Sequence, residues 1–330
     1  MSSLVITIAL LLGSAVVIYL ACEFFVNGVE WMGHKFDVGQ KATGTVLAAF
    51  GTALPESVVT FAAVVFGHTQ AQKAIGIGAA LGGPLVLATI AYAVVGWTLF
   101  ATKQGLSDNR ADRHLARDQG WFLGIFLVKL ALGVIAFAWK PWLGLAFLAA
   151  YGVYVWKETR EGGAAEEPDI DPLKIAPKYE TPPTFLAVLQ TVMALLVIYF
   201  ASRVFVAQID ALGPAVGLRP QLLALLLSPI ATELPETLNA VIWIRQGKVR
   251  LALANISGAM MIQATVPTAF GLLFTPWILD RSLLIAGGVT AVAIVVLLLA
   301  FRRGRASRGL LSAMALGYGA FAALLVIFRP

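Results

Sequence analysis

Thr52-Ala53-Leu54-Pro55-Glu56 and Thr232-Glu233-Leu234-Pro235-Glu236 are two copies of one short phrase, 180 residues apart. Each copy lies inside a long apolar stretch, about 40–67 for the first and about 219–244 for the second. A carboxylate buried at membrane depth is costly, and such groups normally face a partner, a cavity or an ion. Pro55 and Pro235 lack an N–H and clash with the preceding helical turn, which frees carbonyls about four residues upstream. Freed carbonyls in lipid must be satisfied, and lining an ion site satisfies them. Thr52 and Thr232 precede Glu56 and Glu236 by four residues, on the same helical face. Each half of the chain therefore offers a carboxylate, a hydroxyl and loose carbonyls.

The chain around this pair reads as an integral membrane protein. Of its 330 residues, 59% are hydrophobic and 13% charged, whereas soluble domains run near half apolar and a quarter charged. With about 20 apolar residues needed per span, ten segments qualify, near 4–33, 40–67, 72–101, 119–138, 141–157, 184–209, 219–244, 250–277, 281–301 and 308–328. Seventeen of the 24 Lys and Arg fall in the loops after the odd-numbered segments, five fall in the other loops and the C-terminus, and Lys129 and Arg203 lie inside segments. That asymmetry places both termini outside and the odd loops in the cytoplasm. The formal charge of +6 thus reports topology rather than nucleic-acid binding. Tryptophans at segment ends (Trp31, Trp97, Trp121, Trp139, Trp142, Trp156, Trp243, Trp277) suit an interfacial belt. The N-terminus reads as a first span rather than a signal peptide. The single cysteine, Cys22, excludes an intramolecular disulfide and reads as a small buried hydrophobe.

The two halves repeat. Ile18-Tyr19-x-Ala21 recurs as Ile198-Tyr199-x-Ala201, and Phe25-Val26 as Phe205-Val206. Beyond Gly67 and Gly247 the offset drops from 180 to 176, so that Gly82 pairs with Gly258. Five spans per half is an odd number, so the second half enters the membrane from the opposite side. The expected fold is an all-α membrane protein of ten transmembrane helices in two inverted-topology five-helix repeats, 1–157 and 184–330. A cytoplasmic linker, 158–183, joins them. Its acids lack the spacing and turn glycine of an EF-hand.

Oxygen donors of this kind suit hard cations such as calcium or sodium, and the absence of His or Cys beside them argues against zinc or copper. The sequence resembles the calcium/cation antiporter superfamily, and within it the sodium/calcium exchangers. That family carries two repeats, each with Gly-Thr-Ser-x-Pro-Glu and then Gly-Asn-x-x-Gly-Ser-Asn. Here the first motif stands as Gly51-Thr52-Ala53-Leu54-Pro55-Glu56 and Ala231-Thr232-Glu233-Leu234-Pro235-Glu236. The second stands, degraded, as Gly78-Ala79-Ala80-Leu81-Gly82-Gly83-Pro84 and Ala254-Asn255-Ile256-Ser257-Gly258-Ala259-Met260. The resemblance implies that Thr52, Glu56, Thr232 and Glu236 bind the divalent ion. It also implies sodium ligands at Gly83, Leu87, Ala259 and Gln263, of which only Gln263 keeps an oxygen. Glu233 is an added carboxylate where the family has serine. Asn255 and Gln263 join the candidate ligands, each with helix packing as the plainer alternative.

The expected function is secondary antiport of a divalent cation, with calcium the first candidate, against H+ or Na+. The lost sodium ligands leave fewer sodium sites, and clustered carboxylates can take protons instead. The alternatives are antiport of Mg2+ or Mn2+, an uncoupled divalent channel or uniporter, and a membrane scaffold that transports nothing. No phosphate-binding Gly-x-x-x-x-Gly-Lys-Ser/Thr loop marks an ATP-driven pump. No nucleophile–base constellation marks an enzyme. Neither a cofactor nor a nucleic-acid partner is expected beyond the lipid bilayer and the transported cations. A prokaryotic plasma membrane is the expected location, and a monomer is compatible with the reading. Lys129 is expected to snorkel, with neutralisation of a site glutamate as the alternative. Glu23 and Arg203, matched at the 180 offset, are candidates for an ion pair. Gly76, Gly78, Gly82 and Gly83 are expected to serve helix packing.

Overall fold

A computed structural model describes residues 2–35, 56–106, 109–161 and 171–328. Among the described residues the secondary structure is helical. In chain order the helices are α1 (Ser2–Lys35), α2 (Glu56–Phe66), α3 (Gln70–Val86) and α4 (Tyr92–Ala101), the last two joined through a π-turn at Leu87–Ala91. There follow α5 (Asn109–Val134), α6 (Leu143–Glu161), α7 (Thr184–Val216), α8 (Pro220–Thr232) and α9 (Leu234–Arg245). The last four are α10 (Val249–Phe274), α11 (Arg281–Arg302), α12 (Arg308–Ala313) and α13 (Ala315–Phe328).

Local chemistry sets the ends. Thr69, Asp280 and Ser307 each accept a hydrogen bond from the backbone N–H three residues on, capping α3, α11 and α12. Gly217 closes α7 at φ +69, and Gly247 follows α9 at φ +79, conformations that glycine adopts without a Cβ penalty. α5 starts ten residues before the apolar segment read from sequence, because its first turns are polar and stand clear of the apolar run.

Among the described residues six stretches are long and apolar enough to cross a membrane: Leu4–Met32, Gln70–Ala101, Thr184–Val216, Val249–Phe274, Arg281–Arg302 and Arg308–Phe328. Their burial separates centre from rim. In the 18-residue apolar centre of each, 83% of the residues of Gln70–Ala101 and 89% of those of Val249–Phe274 are buried, against 22% for Leu4–Met32 and 17% for Arg308–Phe328. The rim helices turn leucine, valine and isoleucine outward, the arrangement of an integral membrane protein whose outer solvent is lipid. α1 packs along α7, and α3 packs along α8. Close approach of α3 comes from its glycines. A Cβ on Gly82 would lie 2.5 Å from the Leu225 carbonyl oxygen, and one on Gly78 would strike that of Gln221.

The segment read as one span over 219–244 is two helices. α8 ends and α9 begins at Glu233, whose backbone (φ −98, ψ −3) serves both ends. Pro235, in the first turn of α9, has no N–H with which to continue α8. Broken helices at membrane depth occur where they line a cavity or a site. The first copy of the phrase is described only from Glu56 onward, and Thr52 through Pro55 lie outside the described residues, as does 162–170 of the linker.

The tryptophan belt needs two corrections, the first at Trp31, which is buried and donates from Nε1 to the Asp171 carbonyl at 3.0 Å. Trp97, Trp139, Trp142 and Trp156 are exposed at the rim, but Trp277 is fully buried. Its backbone is left-handed (φ 48), and its ring lies against Gly271, where any side chain would collide.

Candidate cation site

The break at Glu233 directs a carboxylate into the centre of the molecule. Glu56, Glu233 and Glu236 are all buried, as are Thr232 and Gln263. The Thr232 hydroxyl donates to Glu56 Oε2 at 2.7 Å, and Ser228 Oγ reaches the same oxygen at 3.3 Å. Thr232 Oγ1 is also 3.0 Å from Glu233 Oε1 and 3.1 Å from the Ser228 carbonyl oxygen. One hydroxyl proton thus faces three acceptors. Gln263 Nε2 donates to Glu233 Oε2 at 2.6 Å, a short bond from α10 to the α8–α9 break. Four of the seven residues singled out from sequence, Glu56, Thr232, Glu233 and Gln263, therefore form one network drawn from α2, α8 and α10.

The remaining three stand as follows. Thr52 is outside the described residues. Glu236 lies in the first turn of α9, close enough to Cys22 of α1 for a through-space interaction. Asn255 precedes Gln263 on α10 by eight residues, about 12 Å along the axis. Among the described residues no three carboxylate, imidazole or thiol groups converge at metal-ligand distance.

Gly83 is the complement of this network. A Cβ there would stand 2.7 Å from Gln263 Oε1 and 2.9 Å from Glu233 Oε1. The absence of a side chain at 83 leaves the space that the Glu233 carboxylate and the Gln263 amide fill. The four glycines of α3 thus divide their work: Gly76 packs on α2, Gly78 and Gly82 on α8, and Gly83 makes room for the site.

The largest departure from the sequence reading is Lys129. It does not snorkel; its side chain is fully buried. Nζ donates to the Ala80 carbonyl at 2.7 Å and to the Gln263 carbonyl at 3.4 Å. It faces the rings of Phe126 (5.4 Å) and Trp277 (5.8 Å) and interacts through space with Glu56. Trp277 Nε1 donates to the Lys129 carbonyl at 3.2 Å, and Lys140 Nζ donates to the Trp277 carbonyl at 3.0 Å. The paired ions Glu23 and Arg203 are not partners either. Glu23 holds Lys174 of the linker at 2.9 Å, while Arg203 reaches His68 at 3.4 Å. A second polar cluster escaped the sequence reading. Gln119 Nε2 donates to Tyr92 Oη at 2.8 Å and lies 3.3 Å from Ser257 Oγ, which contacts buried Asp118 at 3.4 Å.

A profile of the family described as "Sodium/calcium exchanger protein" matches residues 6–159 and again 186–327. The chain is a member of the sodium/calcium exchanger family. CaxA of Alkalimonas amylolytica, whose name marks it as a proposed antiporter, is 26% identical over 316 residues, 92% of each chain. The inner membrane protein YrbG of Escherichia coli K12 is 24% identical over 285 residues, 84% of this chain and 82% of YrbG. Among solved structures, the H+/Ca2+ exchanger CAX superposes with a TM-score of 0.76 at 18% identity, covering 97% of this chain and 82% of CAX. The sodium-calcium exchanger NCX_Mj superposes at 0.59, also at 18% identity, covering 97% and 98%. Both likenesses are of fold. Family membership places the network of Glu56, Thr232, Glu233 and Gln263 on a scaffold shared with exchangers.

Proposed function

We propose that this protein is a secondary antiporter that exchanges a divalent cation, calcium first among candidates, for H+ or Na+ through the Glu56–Glu233 site. The observation that carries the reading is two fully buried carboxylates, Glu56 at the start of α2 and Glu233 at the α8–α9 break, hydrogen-bonded by side chains of α8 and α10. Buried carboxylates of this kind are expensive to keep and mark ion pathways. The names of CAX, NCX_Mj and CaxA support exchange as the reaction class. The relatives divide between proton and sodium coupling, so the coupling ion is a matter for experiment.

The architecture that goes with this reading is ten transmembrane helices in two inverted five-helix repeats, 1–157 and 184–330, joined by the linker 158–183. Both termini lie outside a prokaryotic plasma membrane. Two matches to one family profile, on either side of 160–185, support the division. So does a matched pair of buried threonines at the 176 offset. Thr89 and Thr265 each bond the carbonyl four residues back, at 2.5 and 2.7 Å. In this reading the protein transports rather than catalyses, and it uses no cofactor.

The test is uptake of radioactive calcium into proteoliposomes of the purified chain under a sodium gradient, a pH gradient, or neither. Uptake driven by one of the gradients and abolished in Glu56→Gln is expected. Flux that follows only calcium's own electrochemical gradient would identify a uniporter and overturn antiport.

A further inference from the structure

Lys129 stands on acceptors of a particular kind. Pro84 lies inside α3 and Pro267 inside α10. Each removes the N–H that would bond the carbonyl four residues back. Those carbonyls belong to Ala80 and Gln263, the two that Lys129 Nζ approaches, at 2.7 and 3.4 Å. Two freed carbonyls on the two most buried helices, with two aromatic faces and a carboxylate nearby, are the parts of a monovalent cation site. The chain supplies its own cation to it. A lysine ammonium is a compact point charge with three donors and no acceptor, which suits this set of partners.

From this we infer that Lys129 is a tethered monovalent cation that occupies an ion position between α3 and α10 and fixes the exchange as electroneutral. The inference rests on the antiport reading above and deepens it. Stripped of bound cations and protons, the buried Glu56, Glu233 and Glu236 would hold three formal negative charges and Lys129 one positive. The two negative charges left over are matched by one divalent cation or by two monovalent ones. A site that must cross the membrane interior loaded in either form is least costly when both forms are neutral. The same ammonium accounts for the missing side-chain oxygens at Gly83, Leu87 and Ala259, since a cation carried by the chain needs no ligand shell from them.

The experiment uses the full chain in proteoliposomes with calcium as probe. First, calcium accumulation under a fixed monovalent gradient is measured at zero and at about 60 mV of imposed potential. A cycle moving one net charge responds about tenfold over that interval. Wild-type accumulation is expected to agree within about twofold. Second, calcium self-exchange is measured in N-methylglucamine medium for Lys129→Ala, which opens space for a small cation, and for Lys129→Met, which fills it without charge. Both are expected to fall at least about tenfold. Ammonium at equal concentration on both sides is expected to restore Lys129→Ala to within about threefold of wild type and to leave Lys129→Met unrestored. A tenfold potential response in wild type overturns the inference. So does full exchange in Lys129→Ala without ammonium, or no recovery with it. If Lys129→Ala does not reconstitute, the wild-type potential response decides alone. If wild type moves no calcium under any gradient, it is the antiport reading that fails.

Discussion

Adding one methyl group at Gly83 should disable the site through Gln263. In Gly83→Ala the new Cβ would lie 2.7 Å from Gln263 Oε1, 3.0 Å from its Cδ and 2.9 Å from Glu233 Oε1. Carbon–oxygen contacts this short do not persist, so the amide must swing away, and its 2.6 Å bond to Glu233 Oε2 goes with it. A hydrogen bond to a charged group contributes about 1.5–3 kcal/mol, which corresponds to roughly 10–150-fold in binding. If that bond orients the Glu233 carboxylate for the cation, the apparent calcium affinity in self-exchange assays falls by this factor. The decisive comparison is a double-mutant cycle. In a Gln263→Ala background the bond is already absent and the nearest atoms are gone, leaving only the flexible end of Glu233 to adjust. There Gly83→Ala should cost less than about 0.5 kcal/mol, so the two effects are strongly non-additive. Additive effects, or a single Gly83→Ala within twofold of wild type, would refute the claim that Gly83 and Gln263 share one space.

Three further outcomes follow from the same geometry. Thr232→Val, which deletes the 2.7 Å donor to Glu56, should weaken calcium affinity several-fold more than Ser228→Ala, which deletes only the 3.3 Å one; equal effects would mean that Thr232 does not hold Glu56. Trp277→Phe keeps the ring against Gly271 but loses the bond to the Lys129 carbonyl, and should destabilise by about 0.5–1.5 kcal/mol in denaturation assays; an unchanged midpoint would show that this bond contributes nothing. Burial pushes the Lys140 ammonium below its ordinary value of 10.5. A lowered folded-state value means that stability is complete above the ordinary value and is lost as pH falls through the lowered one. Thermal stability should therefore rise with pH across that window in wild type and lose this slope in Lys140→Met, as differential scanning fluorimetry would show.

The sequence carried the essentials of the site because its signals are chemical. Glu56 and Glu236 are carboxylates in apolar runs, each directly after a proline, and Glu233 is one more, two residues before Pro235. That combination announces the depth and the freed carbonyls, whereas the break at Glu233 is seen only in the structure. Gln263 was marked by its place in the second motif. What spacing could not tell was direction. Lys129 is a single basic residue in an apolar helix, and the same letters describe a side chain that climbs to the interface or one that turns inward. The deciding facts, the carbonyls freed by Pro84 and Pro267, lie on other helices, 49 and 134 residues away. Asn255 was grouped with Gln263 by motif, yet eight residues of helix separate them by about 12 Å. Trp277 resembled the other end-of-segment tryptophans until its left-handed backbone turned it inward. Gly83 looked like a lost ligand, and its value as space is visible only beside Glu233.

The central claim is that the divalent cation binds at Glu56 and Glu233. Equilibrium binding of radioactive calcium to the purified chain in detergent tests it most directly, comparing wild type with Glu56→Gln and Glu233→Gln. The account predicts one calcium bound per wild-type chain and at least about a hundredfold weaker binding in each variant. Binding that is unchanged in both variants would contradict it and move the site elsewhere in the molecule.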